Sequence, residues 1–168
     1  MVTESAHIVP LAGEKPSQFA ERVGRRYADA SVQKDKKHKG QFFTPLAISR
    51  FMGNLATPSG KKSVSVLDPG CGLAILSCAL IERLVEESRP DTISLMLYET
   101  DKNVAPLTKH VLSYLQEWCK EQGTKLDYRL NESDFVLDKC ECLDGADTIF
   151  GEMNAGEKYD RLSQGMRK

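Results

Sequence analysis

Three polar clusters in this chain carry side chains that could hold a charged small molecule. Asp68-Pro69-Gly70-Cys71-Gly72 follows a short apolar run, Ser63 to Leu67. Its glycines allow a ligand close to the backbone, while Asp68 would repel a pyrophosphate and suit a cation. Glu99 ends a second run, Thr92 to Tyr98, and its two oxygens could accept hydrogen bonds from two ribose hydroxyls. Asp134 and Phe135 follow a third, where a carboxylate could accept an adenine amino group and a ring could stack on the base. Gly70-Cys71-Gly72-Leu73-Ala74-Ile75 has isoleucine where a dinucleotide fingerprint needs its third glycine. S-adenosylmethionine, with an ammonium, a sulfonium and no phosphate, fits this set. Glu99 alone would serve NAD equally well, so a nucleotide-linked oxidoreductase stays open on these residues.

The elements that must position these clusters alternate. A basic helix is predicted from about Ser17 to Tyr27. A second helix starts with Thr44 as N-cap and Pro45 as first helical residue, followed by a stripe of Ile48, Phe51, Met52 and Leu55, and it stops at Pro58-Ser59-Gly60. Ser63 to Leu67 reads as a short buried strand. A helix from about Ala74 to Glu87 would present Leu76, Leu80 and Leu84, with Ile75 and Ala79 beside them. After the Thr92–Tyr98 strand, a helix from about Val104 to Glu121 carries Val104, Leu107, Val111, Leu115 and Trp118, and Gly123 closes it. Leu126 to Leu130 is a third strand, and Lys158-Tyr159-Asp160 leads toward a fourth. This order predicts an α/β fold with right-handed crossovers and a parallel sheet. Ligands in such sheets bind beyond the carboxyl ends of the strands, so the clusters should converge on one rim.

The bulk composition is consistent with this reading. A chain of 168 residues with 40% hydrophobic and 28% charged residues suits one soluble domain that buries a real core. No apolar run is long enough for a membrane span or a secretory signal, so a cytoplasmic location and no membrane partner are expected. The five cysteines are odd in number and the three histidines are scattered, which predicts neither a disulfide framework nor a metal site. Net charge is −1, yet Glu21 to Lys62 holds ten Lys or Arg against three acids. Residues 1–39 therefore read as a basic, partly flexible segment able to lie near phosphates, and residues 40–168 as the ligand-binding domain.

On these residues the chain resembles the adenine-N6 DNA methyltransferases of the Eco57I and type I modification-subunit group, from about Lys39 to Asp160. Gly40-Gln41-Phe42-Phe43-Thr44-Pro45 is similar to the family's N-terminal cofactor motif. Val66-Leu67-Asp68-Pro69-Gly70-Cys71-Gly72 is similar to its Asp-Pro-Ala-Cys-Gly-x-Gly loop, with Gly70 in place of alanine and Ala74 in place of the last glycine. Leu97-Tyr98-Glu99-Thr100-Asp101 looks like the ribose motif, and Asp134-Phe135-Val136 like the adenine site. The resemblance implies a Rossmann-like S-adenosylmethionine-dependent methyltransferase fold, incomplete at its C-terminal side. It also implies a cofactor set of Phe43, Thr44, Asp68, Pro69, Gly70, Gly72, Glu99, Asp134 and Phe135, in which Thr44 contacts the methionine carboxylate. The Ala74 methyl is expected near the cofactor, lowering affinity.

Gly156-Glu157-Lys158-Tyr159-Asp160-Arg161 resembles the approach to the family's Asn-Pro-Pro-Tyr motif, which does not follow; the last proline is Pro106. The resemblance therefore implies a restriction-modification DNA methyltransferase whose chain, as given, lacks catalytic residues and is inactive as a truncated form. Alternatively it is a cofactor-binding module completed or regulated by a complementing methyltransferase or specificity chain.

Overall fold

The computed structural model describes residues 8–30, 43–57 and 60–140. The chain divides into two compact units, Met1–Glu132 and Ser133–Lys168. The first holds α1 (Pro16–Ala30), α2 (Leu46–Leu55), β1 (Ser63–Asp68), α3 (Ile75–Ser88), β2 (Thr92–Tyr98), α4 (Ala105–Glu121) and β3 (Lys125–Asn131). The second contributes α5 (Phe135–Cys140). The strand expected near Lys158 lies outside the described residues.

The three strands form a parallel sheet in the order β1-β2-β3, with Asp68 opposite Leu97 and Tyr98 opposite Asn131. In-register pairing puts all three carboxyl ends on one rim, as the β-α-β-α-β pattern predicted. One face of the sheet is covered. Ile93, Leu95, Leu97 and Leu126 are buried together with Ile81, Val85, Val111, Leu112 and Leu115 of α3 and α4. The other face, with Ser65, Leu67, Ser94, Met96, Asp127 and Arg129, is exposed among the described residues. β1 was expected to be buried; it alternates instead, because its odd positions face that open side.

Helix α1 is part of the core. Phe19, Ala20 and Val23 are fully buried, and Phe19 meets His110 and Tyr114 edge-on. Its N-terminus is capped from another helix: Glu82 of α3 accepts from Ser17 N at 2.6 Å and from Ser17 Oγ at 2.8 Å. Burial raises the Glu82 pKa, against the lowering effect of the two Ser17 hydrogen bonds.

Two expected stripes were misplaced. In α3, Leu84 and Ala79 are buried as expected, but Leu76 and Leu80 are only half-buried, while Ser77, Cys78, Ile81, Glu82 and Val85 are inside. α3 is packed by α1 and α2 as well as facing the core, so its buried surface is wider than one stripe. In α2, the apolar residues Ile48, Phe51, Met52 and Leu55 point outward. The inward face is Ser49 and Gly53, and a Cβ on Gly53 would lie 3.4 Å from the Ala79 backbone. Small residues let the two helices approach, and the large ones are left on the surface.

Candidate functional site

The turn between β1 and α3 is held from several directions. Cys71 N donates to Tyr98 O at the end of β2 (3.0 Å), and Ala74 N donates to Cys71 O (2.7 Å). Gly72 has φ +51°, and a Cβ there would sit 3.3 Å from the Phe43 ring. Its carbonyl accepts from Thr108 Oγ1 of α4 at 2.6 Å. Thr108 is fully buried, so the donor end of this bond is shielded from water.

Phe43, Thr44, Asp68, Gly70 and Gly72 line one cleft together with Cys71, Leu73, Ile75 and Leu76. Five of the nine predicted site residues are thus in one place. Pro69 lies exposed within the same turn. Glu99 stands beside the cleft, next in the chain to Tyr98, whose carbonyl accepts from Cys71 N; burial, then the Asp68 carboxylate, then the Glu99 carboxylate push the Cys71 thiol's pKa up. One Glu99 oxygen accepts from Asp101 N at 2.7 Å, which orients the carboxylate. Asp134 and Phe135 belong to the second unit. There Asp134 Oδ1 accepts from Val136 N at 2.8 Å and from Leu137 N at 3.2 Å, capping the start of α5.

Two details differ from expectation. Thr44 does not cap α2: the N-cap position is Pro45, and no side chain of its own segment caps the helix. Glu21 of α1 does so instead, accepting from Leu46 N at 3.2 Å. Ala74 does sit where a glycine is favoured, with φ +58°, but its methyl is fully buried and does not line the cleft. The consequence of that substitution is backbone strain in the loop.

The sequence reading also missed the residues that orient the site. Ser77 is buried and donates to Asp68 Oδ2 at 2.5 Å; its only signal was a hydroxyl on the inner side of an apolar helix. Thr108 gave the same weak signal. Glu21, Gly24 and Tyr27 of α1 act across sequence gaps that local patterning does not read. Among the described residues no His/Cys/Asp/Glu group could hold a metal ion, and no helix is long and apolar enough to cross a membrane.

A parallel β-α-β-α-β unit with a glycine turn and acids at its strand tips is shared by several cofactor-binding families, and the sequence match decides among them. Residues 25–114 match the N-6 DNA Methylase family, more than half of the chain, and the chain belongs to that family. Among its relatives is the type II methyltransferase M.BsuBI of Bacillus subtilis, 34% identical over 105 residues, which span 62% of this chain and 21% of that protein. The fold is similar to a crystal structure from Listeria monocytogenes described as a class I S-adenosylmethionine-dependent methyltransferase, with a TM-score of 0.52 and 21% identity. That similarity covers 76% of this chain and 36% of the other. The chain thus spans about a fifth of the relative and about a third of the structural neighbour.

Proposed function

We propose that this chain is the cofactor-holding part of an adenine-N6 DNA methyltransferase of the Eco57I and type I modification-subunit kind, acting in restriction-modification. The observation that carries the reading is the joining of Phe43, Thr44, Asp68 and the glycine turn around one cleft, from segments far apart in sequence. The chemistry of its lining suits S-adenosylmethionine. Its acid suits the cofactor's ammonium, and Gly70, with open space where a Cβ would stand, leaves the backbone uncovered by a side chain. The Thr44 hydroxyl can donate to the methionine carboxylate. Glu99, next to the cleft, is the candidate for the ribose hydroxyls. NAD fits less well, because Asp68 stands where its pyrophosphate would lie.

The bound cofactor supplies an electrophilic methyl group. The adenine amino nitrogen is a weak nucleophile, because its lone pair is delocalised into the ring. Fixed acceptors for its hydrogens and a ring to stack on the flipped base are needed as well. Residues 1–168 contain no Asn-Pro-Pro-Tyr. On this reading the chain binds and orients the cofactor, and methyl transfer to DNA, in the cytoplasm, needs residues beyond these.

Calorimetric titration with S-adenosylmethionine and with NAD tests the cofactor assignment. Saturable binding of the first and weaker binding of the second are expected; tighter NAD binding reverses it. An assay with labelled cofactor on mixed-sequence DNA tests the division of labour. No transfer is expected from this chain alone, and robust adenine methylation would refute that part.

A second reading, a binding module completed by a complementing methyltransferase or specificity chain, is favoured by one observation. Phe51 and Leu55 of α2 are 62% and 68% exposed, and Leu67 on the open sheet face is 51% exposed. Apolar surface of this kind marks a contact site. Co-purification with a chain carrying Asn-Pro-Pro-Tyr supports this reading, and its absence from affinity-purified material counts against it.

A further inference from the structure

We propose that Glu21 is a positioning residue for the cofactor, acting through Thr44; this rests on the cofactor reading above. A threonine before Pro45 would ordinarily spend its hydroxyl capping the helix that follows. Here Glu21 Oε1, from α1, takes the Leu46 N–H at 3.2 Å, and Arg25 one turn further on holds Oε2 at 3.2 Å. Thr44, whose hydroxyl makes no cap bond to the helix, is one of the residues that line the cleft. Gly24 and Tyr27 continue the same contact. A Cβ on Gly24 would lie 3.7 Å from the Phe43 ring and 3.1 Å from Leu73 Cδ1, and Tyr27 meets Phe43 edge-on at 6.0 Å. Residues 21, 24 and 27 recur at helical spacing, so one side of α1 sets both the ring and the hydroxyl of the Phe43-Thr44 segment. Glu21 and Gly24 precede the residues matched by the family, while Arg25 and Tyr27 fall within them.

A double-mutant cycle tests the coupling. S-adenosylmethionine affinity is measured by calorimetry for the whole chain, Glu21→Ala, Thr44→Ala, the pair, and Glu21→Gln, with circular dichroism as the control for folding. Glu21→Ala is expected to weaken binding about five- to tenfold, the scale of one ordinary hydrogen bond. Glu21→Gln, which keeps the acceptor, should bind like the parent. In the Thr44→Ala background the Glu21 effect should vanish, because the hydroxyl it positions is gone. If Glu21→Ala does not fold, Glu21→Met replaces it in the cycle. A parent that binds while Glu21→Ala binds equally well, or effects that simply multiply in the pair, overturns the positioning role and leaves the cofactor reading intact. A parent that does not bind overturns both.

Discussion

Ser77 Oγ lies 2.5 Å from Asp68 Oδ2, a hydrogen bond across the turn that joins β1 to α3. The hydroxyl is buried, while the carboxylate is at the cleft. Ser77 therefore fixes the direction in which Asp68 presents its charge. Ser77→Ala should leave the fold intact, since Asp68 stays partly solvated, and weaken S-adenosylmethionine binding about tenfold. Titration of the purified variant checks this; unchanged affinity would mean that Asp68 does not need its partner.

Gly72 cannot be replaced cheaply. Any side chain there adopts φ +51° and meets the Phe43 ring at 3.3 Å. Gly72→Ala should cost about 1–2 kcal/mol of stability and shift Phe43 within the cleft. Urea unfolding with a parallel cofactor titration is the check, and both quantities should fall.

Ala74 allows the opposite comparison. Glycine would relieve the left-handed backbone, about 1–2 kcal/mol, but remove a fully buried methyl worth about 0.8 kcal/mol. The two effects oppose, so Ala74→Gly should change stability by less than about 1 kcal/mol. Ala74→Val should lower it by at least about 2 kcal/mol, because a β-branched residue is poorly tolerated there. Cofactor affinity in Ala74→Gly should stay close to the parent's, since the methyl does not line the cleft.

Glu82 gives a pH dependence with a definite sign. Burial raises its pKa above the ordinary value of 4.5, so the folded state holds that proton more tightly than the unfolded chain. Its contribution is most favourable below the unfolded value and declines as pH rises through the raised folded value. Glu14 runs the other way. Its hydrogen bond from Arg22 lowers its pKa, so its stabilisation is present above the unfolded value and is lost as pH falls through the lowered one. Glu82→Gln keeps an acceptor for Ser17 N and cannot ionise. Its stability relative to the parent should therefore increase as pH rises from below 4.5 through the raised folded value, measured by urea midpoints. Glu82→Ala should cost about 1–3 kcal/mol at low pH by leaving the Ser17 amide unpaired, and this cost should shrink as pH rises, because the parent loses the Glu82 contribution.

The α2 surface predicts association. Ile48, Phe51, Met52 and Leu55 are exposed in a row, and β1 pairs only with β2 among the described residues. The isolated chain should self-associate at high concentration in light scattering. Phe51→Asp with Leu55→Asp should reduce this without lowering the melting temperature, as neither side chain belongs to the core.

Local patterning located the strands almost to the residue, because the Thr92–Tyr98 and Leu126–Leu130 runs are bounded by turn residues and have no helical period. It also placed Asp68, Glu99 and the Gly70–Gly72 turn at neighbouring strand ends, since strand tips in a parallel sheet share a rim. It failed where a contact comes from another helix. Thr44-Pro45 is a sound local cap signal, and only the distant Glu21 overrides it. The α2 stripe has a perfect helical period, yet Ser49 and Gly53 are what fit against Ala79. Ser77, Thr108 and Glu82 are polar residues whose partners lie 9, 36 and 65 positions away, beyond the reach of any short window.

The bracing of the Gly72 turn has a kinetic consequence. Tyr98, Thr108 and Phe43 already fix the backbone that a ligand would touch, so little chain entropy is left to lose on association. Cofactor capture at this turn should therefore follow a single exponential whose rate is proportional to ligand concentration, with no slower ordering step behind it.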